Sequence, residues 1–386
     1  MHVPDGFLGV PTSVATGALA AVALGLALRG SRRELGELGA VRAGLTACFI
    51  FAAQMVNFPV AAGTSGHLLG GALAVALVGP WTAVLVMSCV LVVQALVFAD
   101  GGVTALGTNI LLMGVVGVGV ATLVSYGVTA ILGRRGRAAG RPVGRGGVIA
   151  ASAAGAFVSV PTAAAAFCLL YAIGGAVPIP LGALTLAMVG THLLIGVGEA
   201  VITAAVLGAV LAVRPDLVRL AGREGTPVTA MTLADGTVVL RSAVGGAASG
   251  VGASSGDGAS GDGADADVRR RAERPRLGRG AAVIALAATV VVAGGLSLFA
   301  STSPDGLEHV AGALGFAGSA VSPLVHTPLA DYGIAGLGAV GTTLAGLFGV
   351  ALTLGLGLLV VSGVRRGRPR GAGAVDDQPR PAEERR

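Results

Sequence analysis

The chain has 386 residues, of which 54% are hydrophobic and only 12% are charged, and its mean hydropathy is +0.83. Soluble domains carry about 25% charged residues, so this composition excludes an ordinary soluble protein and indicates an all-α polytopic membrane protein in a lipid bilayer. The net charge of +6 comes entirely from arginine; because the arginines cluster between the apolar runs, we expect no nucleic-acid partner.

The chain begins with the octapeptide Met-His-Val-Pro-Asp-Gly-Phe-Leu, without the basic run that opens a signal peptide. The bulk of His2 should block removal of Met1. The Met1 amine, the His2 backbone nitrogen and the His2 imidazole could then chelate one metal ion, and such donors favour square-planar Ni(II) or Cu(II). We choose His67, in a glycine-rich polar loop, as the fourth nitrogen ligand. The pair Asp5-Gly6 is either a turn that starts the first helix or a device that directs the N-terminus back into the protein.

Apolar segments in the first part of the chain predict a seven-helix substrate-binding bundle, in a domain covering residues 1–213. The predicted helices cover residues 12–28, 43–60, 68–79, 82–98, 105–132, 148–173 and 183–213. The third is short, and a tight turn at Gly79-Pro80 separates it from the fourth. With the N-terminus outside the cell, every arginine patch falls on the cytoplasmic side, as the positive-inside rule requires.

The remainder of the chain predicts a second, smaller unit. Residues 214–279 are interpreted as a flexible cytoplasmic linker, with a short strand pairing near residues 237–240. Two further spans, within 280–300 and 334–364, flank an external loop and form a two-helix module over residues 280–364. Residues 365–386 are predicted to be a disordered basic tail in the cytoplasm.

Several motifs resemble a known family. The N-terminal octapeptide, the loop Gly63-Thr64-Ser65-Gly66-His67, and the segments 106–109 and 191–199 resemble the cobalt/nickel substrate-capture permeases of energy-coupling factor transporters, the CbiM/NikM family, over roughly residues 1–215. Pro304-Asp305-Gly306-Leu307-Glu308 resembles the PDGLE module, a small membrane component that accompanies these permeases. The resemblance implies that the N-terminus and the loop histidine bind Ni(II) or Co(II) as the transported substrate at the plasma membrane. It also implies partner subunits: an energy-coupling transmembrane protein and ATPases.

Other polar residues are candidates for supporting roles. Metal-bound imidazoles need groups that orient them, and the candidates near the site are Asp5, Asn57, Thr64 and Ser65. Asn109 suits an interhelical hydrogen bond. His192 and Glu199 lie on one face of a helix and could line a metal route, hold the bundle together or be sensed by the coupling subunit. Asp305 and Glu308 are expected to help the module dock onto the metal loop, and His309 and His326 to be ordinary loop histidines.

Two other functions remain open at this point. One is an intramembrane enzyme that uses His192 and Glu199, although no nucleophile or metal triad accompanies them. The other is a membrane metal sensor without transport activity. The chain has no lysine and no G-x-x-x-x-G-K-[ST] motif, so any ATP hydrolysis must occur on separate subunits. We expect no organic cofactor. Four planar nitrogens favour nickel, with cobalt close behind.

Overall fold

The structure is a computed structural model, and it describes residues 1–35, 39–61, 63–138, 143–222, 229–232, 238–241, 279–322 and 324–366. Most of the predicted linker, residues 242–278, and nearly all of the predicted basic tail, residues 367–386, lie outside the described residues. The domain boundaries therefore stay predictions.

The first part of the chain forms helices and one small hairpin. In chain order these are α1 (Val10–Glu34), α2 (Gly39–Gln54), β1 (Phe58–Ala61), β2 (Thr64–Gly66), α3 (Gly71–Val78), α4 (Pro80–Val97), α5 (Leu106–Asn109), a π-helical segment (Ile110–Gly117), α6 (Val118–Ala138), α7 (Arg145–Gly174), α8 (Leu181–Val213) and α9 (Arg219–Gly222). The strands β1 and β2 pair antiparallel. The segments from α5 to α6 follow one another without a break, so they form one long helix with a π-helical turn inside it.

The predicted short third helix is confirmed and is shorter than expected. Gly70 is in the left-handed conformation (φ 85°) and ends the extended segment that precedes α3, while Gly79 (φ 93°) makes the tight turn into α4. With 8 residues, α3 is about 12 Å long. This is less than the roughly 30 Å of a bilayer core, so the extended stretch that contains His67 must enter the protein to reach it.

The rest of the described chain contains a strand pair and a helical module. Their elements are β3 (Thr229–Thr232), β4 (Val238–Arg241), α10 (Arg279–Gly294), α11 (Gly306–Leu314) and α12 (Gly338–Arg366). Helix α12 packs along α2, and α10 packs against both. The helices approach closely at small residues, because a Cβ added to Gly357 would lie 3.1 Å from the Gly44 Cα.

Seven helices are long and apolar enough to cross a membrane, so the multi-pass prediction is confirmed. They are Val10–Glu34, Pro80–Val97, Leu106–Gly136, Arg145–Gly174, Leu181–Val213, Gly280–Phe299 and Gly338–Val364. Large apolar side chains on their outer faces, such as Leu186 and Val291, are exposed. A lipid surround removes the cost of that exposure.

The arginine-bearing ends of several helices meet at one end of the molecule. Arg219 donates a hydrogen bond to the Glu34 carbonyl, and Arg42 lies within the electrostatic reach of Asp216. The Glu34 carboxylate accepts the Thr82 N–H at 2.8 Å and so caps α4 from the end of α1. The N-terminal octapeptide lies near the opposite end of α7, beside Gly174.

Candidate metal centre

The first eight residues form a buried strap that runs back through the protein. Phe7 accepts a hydrogen bond from the Ala176 N–H at 3.0 Å, and the Gly9 N–H donates to Gly174 at 2.8 Å. The strap therefore follows the loop between α7 and α8. Met1 and His2, at its tip, are buried. This arrangement favours the second interpretation of Asp5-Gly6, in which the turn directs the N-terminus into the protein.

Two of the predicted supporting residues hold the strap in place. Asn109, at the start of the π-helical segment, accepts the Val3 N–H at 2.8 Å and donates to the Val3 carbonyl at 3.0 Å. The Asp5 carboxylate accepts the Thr104 N–H at 2.7 Å and the Thr104 hydroxyl at 2.5 Å. Both residues thus position the backbone of the strap, and neither orients an imidazole.

The Met1 amine and His67 are in direct contact. The Met1 nitrogen lies 2.7 Å from the His67 Nε2 atom. The other ring nitrogen, Nδ1, lies 3.0 Å from the Leu68 carbonyl, which can only accept a hydrogen bond. Nδ1 therefore carries the proton, and Nε2 presents its lone pair to the amine. This is the tautomer that a metal-binding imidazole needs.

The environment keeps His67 neutral. Burial, the Met1 amine and His2 together lower the pKa of His67 to about 3. No proton has to leave this ring at neutral pH before a metal binds, whereas the Met1 amine must lose one.

His2 stacks on His67 and makes two polar contacts of its own. The two ring centroids are 5.0 Å apart and the ring planes are inclined by 15°. His2 Nδ1 lies 3.1 Å from the Asp100 carboxylate, and Nε2 lies 3.2 Å from the Gln94 side-chain oxygen. A metal bound to Nδ1 would displace the Asp100 contact, so loading requires a local rearrangement of His2.

A chain of amides links His2 to the His67 loop. Gln94 donates to the Gln54 side-chain oxygen at 2.7 Å, and Gln54 donates to the Leu69 carbonyl at 2.7 Å. The sequence analysis missed these glutamines, and also Asp100 and Tyr332. Polar residues at the ends of apolar helices were the available signal.

Asp100 joins the first domain to the C-terminal module. The Tyr332 hydroxyl donates to the Asp100 carboxylate at 2.5 Å. Burial raises the pKa of Asp100, but the charge and hydrogen bond of His2 and the Tyr332 hydroxyl outweigh it, so the pKa of Asp100 lies below its usual value. Tyr332 has φ 57°, an uncommon conformation for a bulky residue, and its ring stacks on Phe98.

The PDGLE residues of the module reach the same site. The Asp305 Oδ2 atom lies 2.8 Å from the Met1 amine and 4.0 Å from His67 Nε2. The Asp305 Oδ1 atom and the Glu308 side chain form a capping box at the start of α11. An added Cβ at Gly306 would lie 3.0 Å from His192, so only glycine lets α11 begin this close to α8.

Of the other loop candidates, Ser65 has the clearest contacts. Its hydroxyl donates to the Ser303 carbonyl at 2.7 Å, and its N–H donates to the Pro304 carbonyl at 2.9 Å. Asn57 accepts the Ser301 N–H at 2.8 Å through its backbone carbonyl, and Thr64 is buried. These residues hold the module against the His67 loop rather than orient imidazoles.

His192 and Glu199 have separate partners. The Glu199 carboxylate accepts the N–H groups of Leu69 at 2.6 Å and Gly70 at 2.8 Å. His192 Nδ1 lies 2.8 Å from the carbonyl of Met188, one turn earlier. Glu199 therefore holds the segment that carries His67, and the expected contact between these two residues is replaced by a contact with the loop.

The ligand-type atoms of His2, His67 and Asp305 all lie within 4.8 Å of one another. The Met1 amine lies between His67 and Asp305. Three nitrogen donors and one carboxylate thus meet at a buried point that the sequence brings together from three distant segments. Such a set can bind a divalent first-row transition metal.

Two protein families match the chain. The family described as "Cobalt uptake substrate-specific transmembrane region" matches residues 2–217, and the family described as "PDGLE domain" matches residues 279–366. A relative from Haloquadratum walsbyi, whose name provisionally assigns it to metal transport, is 39% identical over 56% of this chain and 93% of its own length.

Relatives named for nickel and for cobalt also match. The fused nickel transport protein NikMN of Rhodobacter capsulatus is 37% identical over 56% of this chain and 63% of its own length. The cobalt transport protein CbiM of Sorangium cellulosum is 34% identical over 56% of this chain and 94% of its own length. A crystal structure of a transition metal transporter is 27% identical over 55% of this chain and 93% of its own chain, with a TM-score of 0.47.

Proposed function

Because this chain belongs to the family of cobalt uptake substrate-specific transmembrane regions and carries a PDGLE domain in the same polypeptide, we propose that it is the substrate-capture component of an energy-coupling factor transporter. Its substrate is Ni(II) or Co(II). Its relatives are cobalt and nickel transport proteins, which favours transport over the enzyme and sensor alternatives.

The observation that carries the proposal is the meeting of the Met1 amine with His67. These groups are 66 positions apart in the chain, yet their nitrogens are 2.7 Å apart in a buried site. We propose that the metal binds to the Met1 amine, the His2 backbone nitrogen, the His2 imidazole and His67 Nε2. The amine and the amide must give up protons, so binding weakens in acid.

The orientation follows from the charges. The arginine patches at the ends of α1, α6 and α8 suit the cytoplasmic side of a membrane. The octapeptide and His67 lie at the other end of α7, so the metal is captured from outside the cell and both the linker and the C-terminus are cytoplasmic.

Release to the cytoplasm needs an energy source that the chain lacks. The sequence contains no Walker A motif. We therefore propose that separate ATPase subunits act through an energy-coupling transmembrane subunit to reorient the bundle. Four nitrogens in a plane favour Ni(II) over Co(II).

The first experiment tests the amine. An extra residue before Met1 converts the amine into an amide, so it should abolish tight Ni(II) binding by the purified protein. A chain extended in this way that still binds Ni(II) as tightly as the original would refute the chelate.

The second experiment tests the loop ligand and the activity. His67→Ala should weaken Ni(II) binding and stop metal accumulation by cells that express the chain with its partner subunits. His326→Ala is the matched control, because His326 is an exposed loop histidine, and it should change neither measurement. Accumulation that does not require the ATPase subunits would refute the energy-coupling mechanism.

A further inference from the structure

The fused PDGLE domain places a carboxylate at the proposed capture site. Asp305 Oδ2 lies 2.8 Å from the Met1 amine and 4.0 Å from His67 Nε2. The Asp305 side chain is only 13% exposed. This carboxylate comes from the C-terminal module, whereas the Met1, His2 and His67 nitrogens all belong to the first domain.

The Asp305 carboxylate is held with one oxygen facing the site. Oδ1 accepts the N–H groups of Leu307 at 2.8 Å and Glu308 at 2.9 Å, at the start of α11. Oδ2 is left to face the amine. Groups that bind metals tightly are fixed in advance by such supporting hydrogen bonds.

Docking of the module does not need this carboxylate. The Ser65 hydroxyl and N–H already bind the Ser303 and Pro304 carbonyls at 2.7 and 2.9 Å, and the Asn57 carbonyl binds the Ser301 N–H at 2.8 Å. A charged oxygen aimed at the amine therefore has a role beyond attachment.

The charge at the site indicates that role. In the metal-free structure, Asp305 neutralises the buried ammonium of Met1. When a divalent metal replaces the departing protons, one amine, one deprotonated amide and two neutral imidazoles leave an uncompensated positive charge. An uncompensated buried charge is costly, and Asp305 is already in position to balance it.

We propose that Asp305 is a metal ligand, so that the PDGLE domain supplies the fifth donor atom to the transported ion. The inference rests on the proposed nitrogen site. The Oδ2 oxygen binds the metal outside the plane of the four nitrogens. Removal of the metal to the cytoplasm then requires the module to give up its ligand.

The test compares full-length variants purified in detergent. Asp305→Asn removes the charge and keeps the helix cap, because Asn and Asp cap helices about equally well. Glu308→Gln is the matched control: it removes a neighbouring charge and keeps the capping-box pattern. His67→Ala reports on the nitrogen site. Ni(II) affinity is measured by calorimetry and coordination number by X-ray absorption at the nickel K edge.

We expect Asp305→Asn to weaken Ni(II) binding by about tenfold or more, the scale seen when groups that support a metal site are removed. Its spectrum should change from five-coordinate to four-coordinate planar. Glu308→Gln should match the unmodified chain in both measurements.

Three results would overturn the inference: unchanged affinity and spectrum in Asp305→Asn, tighter binding in that variant, or a four-coordinate planar spectrum in the unmodified chain. The last of these is decisive even where Asp305→Asn fails to fold. Loss of binding in His67→Ala with unchanged Asp305→Asn sinks this inference alone, whereas unchanged binding in His67→Ala sinks the nitrogen site itself.

Discussion

Replacing Glu199 by glutamine should loosen the segment that presents His67. The Glu199 carboxylate accepts the Leu69 N–H at 2.6 Å and the Gly70 N–H at 2.8 Å. The Glu199→Gln side chain keeps one acceptor oxygen and turns an N–H₂ group toward the other backbone N–H. One charge-assisted hydrogen bond is therefore lost, which costs about 1.5–3 kcal/mol.

The loss should appear in two measurements. A destabilisation of about 1.5–3 kcal/mol corresponds to a fall in the melting temperature of roughly 3–12 °C for a protein of this size. If about 1.4 kcal/mol of this cost is borne when the loop closes on the metal, Ni(II) affinity falls about tenfold. Thermal unfolding in detergent gives the first quantity, and calorimetric titration with Ni(II) gives the second.

The matched control is Glu34→Gln. Glu34 also accepts hydrogen bonds from two consecutive backbone N–H groups, those of Trp81 and Thr82, but at the arginine-bearing end of the molecule. It should lower the melting temperature without changing Ni(II) affinity. If both variants lose stability and neither loses affinity, Glu199 is a structural residue only and does not position His67.

Three further results are expected. Because the pKa of folded His67 is about 3 and an unfolded histidine has a pKa of about 6.5, the unfolded chain binds the extra proton between these values. Stability of the metal-free protein should therefore fall as pH drops through this window, and the fall should be shallower in His67→Gln; equal slopes would contradict the buried neutral imidazole. Cysteine at exposed Thr302 should react with impermeant reagents added outside cells and cysteine at exposed Arg145 should not, against a low background because all three native cysteines are buried; the reverse pattern would invert the topology. Gly6→Ala should destabilise the strap by at least about 1–2 kcal/mol, because Gly6 has φ 90° and its added Cβ would lie 2.3 Å from the Ser319 carbonyl; an unchanged melting temperature would contradict that packing.

The helical bundle was predictable because its signal is local. Long apolar runs bounded by glycine, proline and arginine give the spans directly. The exceptions have physical reasons. Helix α3 is short because Gly70 and Gly79 both adopt positive φ, which apolarity does not show. Helix α11 was predicted as loop because 9 residues give too little periodicity to recognise.

The candidate site was predictable only in part. Met1, His2 and His67 follow from the chemistry of the N-terminus and from the resemblance, and the structure brings them together. Asp100, Gln94 and Tyr332 could not be assigned, since their contacts with His2 and with one another depend on how distant segments pack. Asp305 was predicted to dock the module. Its contact with the Met1 amine required the three-dimensional path of the strap.

That path also sets the order in which the molecule can be assembled. Residues 1–8 leave the ribosome first, but their partners are made much later: Thr104 for Asp5, Ala176 for Phe7, and Val321 for the Asp5 carbonyl. Contacts between residues so far apart in sequence form slowly. The earliest-made segment is therefore the last to be placed, and the metal site matures only after the C-terminal module has been synthesised and inserted.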